Sequence, residues 1–427
     1  MDSCFLDVHV YYGEVYFMFR NRDSQLSIRI TKHLLLLVLV GVFLFGACSS
    51  GGTKDTETLG DFNSIAQPYI YNLWQWEVAA LRDKLVTSVT RNRIASSCED
   101  LSVIRYFEIV REKQQLNNSL GSTRDSDMRF QTLQQEELKL RDCVEYSIET
   151  RINEVLHNNG ISSPLFPGAS RAVFPPVLFQ LEPTPKLLVI SKRDKIELIN
   201  RITLRQDMTD NDRSLIENKC DKYGVSSLVE DTGGIATYPS LVANDGNLRF
   251  TLSAVAEEWV HQYLTFKPLG WAYVLDIWGV KPDREIATIN ETLAGMVSRE
   301  LSNQVYRDRY AKYETPTRPT PVMFDFNLEM RTTRLRVDQF LKEGRIIEAE
   351  QYMEERRKLF VDKGYQIRKL NQAYFAFHGT YGYSPSSVSP VYADLQRVRS
   401  RSSTLGEFLN SVASVQSYAE LYALAGR

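Results

Sequence analysis

The chain has 427 residues, of which 43% are hydrophobic and 24% charged, with a formal net charge of −2. That length suffices for two or three domains with real cores. The near balance of charge gives no reason to expect nucleic acid or an anionic membrane surface as partner, and the five cysteines, with no CxxC or Cys/His cluster, exclude a structural zinc knuckle.

Residues 1–47 read as a segment outside the main fold. Arg20, Arg22, Arg29 and Lys32 precede the apolar run 34–45, and Gly46-Ala47-Cys48-Ser49-Ser50 follows at once. A basic start, a short apolar core and small residues before a cut site describe an export signal peptide. Gly-Ala-Cys resembles the bacterial lipobox, which implies a lipoprotein with Cys48 as the lipidated residue and 48–61 as a tether. An uncleaved single-span transmembrane helix is the alternative. Either arrangement places the remainder on the extracytoplasmic face of the cell membrane. The acidic, aromatic stretch 1–16 does not suit a signal, which leaves Met18 as a second candidate start.

Residues 62–160 are expected to be helical. Leu73, Trp76, Ala80, Leu81 and Leu85 recur at three- and four-residue steps, segments 100–116 and 126–157 follow, and Asn158-Asn159-Gly160 stops the pattern. Cys98 and Cys143 could pair across two antiparallel helices and leave Cys220 free; three buried thiols are the equal alternative. Prolines 164, 167, 175, 176, 183 and 185 mark a break. Strands are expected at 177–181, 186–191 and 196–204, then a helix over 207–223. Two further strands, 226–230 and 235–242, flank Asp231-Thr232-Gly233-Gly234 as a hairpin.

The resulting fold class is α+β, mainly α. It combines a helical region 62–160 with a domain 161–427 containing a small sheet (177–242), two helices (247–264 and 283–313) and C-terminal helices over 330–425. Among the last, Gly344 and Gly364 act as breaks, 365–377 is a helix, and 379–390 is a flexible Ser/Pro-rich loop. Arg331, Arg334 and Arg336 alternate with acids and read as a solvated face. No P-loop, no GxGxxG after a strand and no GxSxG occurs.

Chemistry concentrates in the two central helices. On 248–264, Leu252, Val255, Ala256, Trp259 and Tyr263 share one face, while Glu257, Glu258 and His261 lie on the other. Glu257 and His261 are i, i+4 and can approach one ion. On 283–313, Ile286, Ile289, Leu293, Met296 and Val297 form the apolar face. Glu291 sits on a stripe of small residues, Ala287, Ala294, Gly295 and Ser298, that allows close approach of a neighbour.

Glu257-Glu258-Trp259-Val260-His261 followed by Asn290-Glu291-Thr292-Leu293-Ala294 resembles the gluzincin clan of zinc metallopeptidases, whose pattern is H-E-x-x-H and then a helix with N-E-x-x-A. The resemblance spans about 177–377 and implies a zincin-like domain with the sheet beside the site helix. It makes His261 and Glu291 metal ligands and Glu258 the general base acting on a peptide or protein substrate. The departure is Glu257, where the family has histidine. One imidazole and two carboxylates form a harder, more negative donor set than two imidazoles, so Mn²⁺ or Fe²⁺ becomes acceptable beside Zn²⁺. Three outcomes stay open: a working hydrolase with an altered metal, an impaired one, or a metal-free relic whose cleft or N-terminal helices bind a partner. Asn371-Gln372-Ala373-Tyr374 is similar to a late helix of bacterial aminopeptidase-like relatives, which makes Tyr374, with Asn290 and His378, an auxiliary candidate.

Overall fold

The chain divides into two compact units, 1–50 and 51–427. The computed structural model describes residues 5–11, 14–21, 24–30, 56–95, 98–118, 124–161, 173–277, 279–314 and 324–427. In the first unit, β1 (Phe5–Tyr11), β2 (Glu14–Asn21) and β3 (Ser24–Ile30) form an antiparallel meander with Tyr11 opposite Glu14 and Asn21 opposite Ser24. The expected export leader therefore begins with strands. Val15, Phe17 and Phe19, like Leu26, Ile28 and Ile30, recur at every second position, which is the period of a strand. The apolar run 34–45 and Cys48 lie outside the described residues. Among the described residues no helix is long and apolar enough to cross a membrane.

The second unit opens with α1 (Thr56–Ala66), so helix begins inside the segment expected to be a tether. Phe62 and Ala66 are buried in a core with Leu188, Ile190, Leu204 and Ile216. On α2 (Leu73–Ala95) Ala80 of the expected stripe is buried, with Glu77 beside it, while Leu73, Trp76 and Leu81 are half-buried. The polar groups go inward because they have donors to meet. Glu77 accepts from the Tyr238 amide at 2.9 Å, and Lys84 pairs with Glu145 and Glu149 at 2.7 and 3.0 Å.

Those two glutamates belong to α4 (Arg124–Asn158), which packs against α3 (Asp100–Asn118). The second oxygen of Glu145 accepts from the amide of Leu181 (2.8 Å), and the Glu149 oxygen that meets Lys84 also accepts from the amide of Phe179 (3.2 Å), both on β4 (Phe179–Glu182). A strand edge whose donors end on carboxylates cannot recruit a further strand. Cys98 and Cys143 form a disulfide, and Cys220 is a buried free thiol. Replacing both paired cysteines by serine is expected to lower stability by about 2–4 kcal/mol in urea unfolding, because the bond restricts a long loop of the unfolded chain.

Two three-stranded sheets follow. In one, β5 (Lys186–Lys192) lies antiparallel between β6 (Leu198–Leu204) and β7 (Val225–Asp231), next to α5 (Asp210–Asp221). In the other the order is β4, β9 (Ser240–Ala243), β8 (Gly234–Ile235). The hairpin expected across 231–234 does not form. Chain on either side of that turn enters different sheets, and the expected strand 235–242 is divided at Pro239, which has no amide hydrogen for a ladder. As a result β8 pairs with β9 alone and is an edge strand.

Helix α6 (Leu248–Leu264) starts at Asn247, whose side chain accepts from the Phe250 amide at 3.1 Å. Helix α7 (Pro268–Ile277), not expected from the sequence, turns sharply off it. A Cβ at Gly270 would stand 1.9 Å from the Leu264 carbonyl oxygen, so only glycine fits that corner. Helix α8 (Arg284–Val305) is capped by Asp283 and runs on through tighter and looser turns to Tyr313. It is buried on nearly every side, by α6 and α7, by α4 and by the C-terminal helices.

Helices α9 (Phe326–Lys342) and α10 (Ile346–Asp362) end at Gly344 and Gly364, whose φ of +74° and +91° stop each one as expected. The helix expected over 365–377 shortens to α11 (Gln372–His378), because the Asn371 side chain caps it by accepting from the Tyr374 amide. The 379–390 loop is pinned instead of flexible: Ser386 and Ser387 are buried, and their carbonyls accept from Arg334 and Arg331. Arg334 is only 7% exposed, which corrects its assignment to a solvated face. Helices α12 (Val391–Arg401), α13 (Leu405–Ala413) and α14 (Tyr418–Leu424) close against α8. The molecule is α+β and mainly α, as the sequence implied.

Candidate metal centre

The tight packing of α6 on α8 brings three potential ligands together, two carboxylates and an imidazole. One donor atom each from Glu257, His261 and Glu291 lies within 4.8 Å of the other two. The Nε2 of His261 and Oε2 of Glu291 are 3.6 Å apart. Two donors about 2.1 Å from one tetrahedral ion stand roughly 3.4 Å apart, so the spacing suits a shared cation. The group could hold a metal ion.

The ring of His261 is fixed from behind. Its Nδ1 lies 2.8 Å from Oδ1 of Asn290, one residue before Glu291 on α8. An amide oxygen only accepts, so Nδ1 donates in this pairing and Nε2 is the ring nitrogen that faces Glu291. An outer partner of this kind is what orients a ligating histidine. Tyr273 of α7 stacks on the same ring, 6.4 Å between centroids, and its hydroxyl donates to Oε1 of Glu291 at 2.5 Å.

Glu258 points to the neighbouring sheet edge. A Cβ on Gly234 would fall 2.5 Å from its Oε1, so the carboxyl group rests on the β8 backbone where only glycine permits it. Burial, reinforced by the charges of Glu257 and Glu291, holds the Glu258 carboxyl well above the usual range. Burial also raises Glu257, to about 7; His261 opposes the shift, Glu291 adds to it, and Arg299 lowers it. Carboxylates crowded in a desolvated place favour a proton or a cation.

Two of the auxiliary candidates lie elsewhere. His378 pairs with Glu230 on β7 at 3.2 Å and packs on Tyr374, with ring centroids 4.2 Å apart. Tyr374 in turn joins the apolar clusters beneath α9 and α10 and β5. Neither belongs to the three-residue group. The sequence reading missed Tyr273, Arg201, Tyr383 and Arg299. Tyr383 lies over Gly295, where a Cβ would come 2.3 Å from its hydroxyl, and Arg299 stacks on its ring at 3.6 Å. At Gly295 the stripe of small residues thus admits a tyrosine from the 379–390 loop, in addition to the close approach of α6. Only the glycine itself hinted at this.

Comparison with protein-family models, with curated proteins and with solved structures returns no match.

Proposed function

We propose that this is a metal-dependent hydrolase of peptide bonds with a gluzincin-like, zincin-type domain, held at the extracytoplasmic face of a cell membrane through Cys48 or an uncleaved N-terminal span. The observation that supports it is the meeting of Glu257, His261 and Glu291, from two helices, at the three ligand positions of the metallopeptidase motif, with Glu257 in the place of its first histidine. Zn²⁺ is the favoured ion, and the two carboxylates make Mn²⁺ or Fe²⁺ acceptable. Such an ion supplies Lewis acidity, making water more acidic and polarising a carbonyl.

The residues perform the rest. Glu258 is the proton carrier. Its raised affinity for a proton suits a group that takes one from water and returns it to the leaving amine. An extended peptide can add to the edge strand β8 through main-chain hydrogen bonds, which would lay it beside Glu258 at Gly234. The disulfide fits an oxidising compartment outside the cytoplasm.

Metal analysis tests this reading. Protein purified without chelator is expected to carry about one divalent ion per chain, and His261→Ala to carry none. Absence of metal from both would favour an envelope lipoprotein that uses the cleft or its N-terminal helices only for binding.

A further inference from the structure

Arg201 stands on β6, Tyr273 on α7 and Glu291 on α8, three elements far apart in the chain. The Tyr273 hydroxyl donates to Glu291 at 2.5 Å, and the Arg201 guanidinium lies close enough for its charge to be felt by both groups. Among the described residues Arg201 has no carboxylate in ion-pair range, and its Nε is sealed from water with no partner. A desolvated guanidinium with so few bonds is costly unless its charge acts on something near. The carboxylate its charge acts on is Glu291, the acceptor of the Tyr273 hydroxyl.

We infer that Arg201 and Tyr273 are positioning residues for the metal centre: Tyr273 holds Glu291 in its ligating orientation, and Arg201 acts on Glu291 through the Tyr273 hydroxyl. The inference rests on the three-residue group being a metal site, and not on peptide hydrolysis.

Three physical consequences support this assignment. The phenol has one proton to donate, and its short contact to the Glu291 carboxylate commits that proton to Glu291. Oε1 is then occupied, which leaves Oε2, the atom 3.6 Å from His261 Nε2, as the free ligand oxygen. Stacking on the His261 ring fixes Tyr273 against the second ligand as well, so one side chain aligns two donors. Finally, a cation placed behind a phenol between two ligands offsets part of the extra negative charge that Glu257 brings.

The experiment is calorimetric titration of chelator-stripped full-length protein with Zn²⁺ alone and with Mn²⁺ alone. The proteins are wild type, Tyr273→Phe, Arg201→Met, Arg201→Lys, the Tyr273→Phe/Arg201→Met double variant and His261→Ala. Loss of an outer-shell partner commonly weakens metal binding about 10- to 100-fold, and that range is expected for Tyr273→Phe. Arg201→Met is expected to weaken it less and Arg201→Lys to restore part of the loss. The double variant should be no weaker than Tyr273→Phe, since Arg201 acts only through that hydroxyl. The metal-free unfolding midpoint, measured alongside, should stay unchanged in Tyr273→Phe. Wild-type affinity in Tyr273→Phe, additive losses in the double variant, or affinity losses matched by a lower metal-free midpoint would each overturn the assignment. If wild type binds no more tightly than His261→Ala, the metal site itself fails and this inference falls with it.

Discussion

Glu258→Gln is expected to lose about a thousandfold of peptide hydrolysis while retaining its metal, because general acid–base groups contribute typically 10²–10⁴ in rate. The substitution keeps the shape of the side chain against Gly234, where its carboxyl group is held. What it removes is the ability to gain and release a proton. Turnover of a peptide library by wild type and variant, together with metal content of both, is the measurement. Equal activity in the two would show that Glu258 has no part in the reaction. Loss of activity together with loss of metal would mean that Glu258 serves the ion and not the proton.

The metal-free protein is expected to lose stability as pH rises from about 5 to about 7.5, and bound Zn²⁺ to reverse the trend. The sign follows from Glu257, whose folded pKa is raised to about 7 from the usual 4.5. Below the unfolded value both states hold the proton. Between the two values the folded state keeps it and the unfolded state releases it, so unfolding gains with each increment of pH. Glu258 shifts in the same direction, for the same reason of burial beside like charges. A cation among the carboxylates favours their ionised forms and removes the penalty. Urea midpoints measured in chelator from pH 5 to 8, and again with Zn²⁺, test this. Glu257→Gln should flatten part of the slope in chelator. A midpoint independent of pH would contradict the crowded, desolvated arrangement.

Local features of the chain were largely legible in its residues. Asn247 and Asp283 open the two site helices, and both run close to the expected bounds. Gly344 and Gly364 stop their helices for a reason visible in any sequence, the ease with which glycine takes positive φ. The mistakes share a different cause. The 231–234 segment has the composition of a hairpin turn, but its flanking strands found better partners in two separate sheets. On α2 only Ala80 among the described residues of the apolar stripe is fully buried, and Glu77 goes inward beside it because the Tyr238 amide, in the bend between β8 and β9, must be satisfied. The 379–390 loop has flexible composition and is nevertheless locked by two arginines from α9.

The candidate site divides in the same way. That Glu257 and His261 share a helix face, with Glu258 one step round, follows from a period of 3.6 residues and needs no structure. Asn290 and Glu291 were singled out by type and order alone. What only the folded chain decided is that Asn290 grips the ring of His261, that Glu291 faces the same ring, and that Tyr273, with Arg201 behind it, meets Glu291 from a helix the sequence did not announce. Periodicity and capping are short-range effects, written within one or two helical turns. Convergence of side chains from β6, α6, α7 and α8 depends on how close-packed faces fit against one another, and that is a property of the whole core.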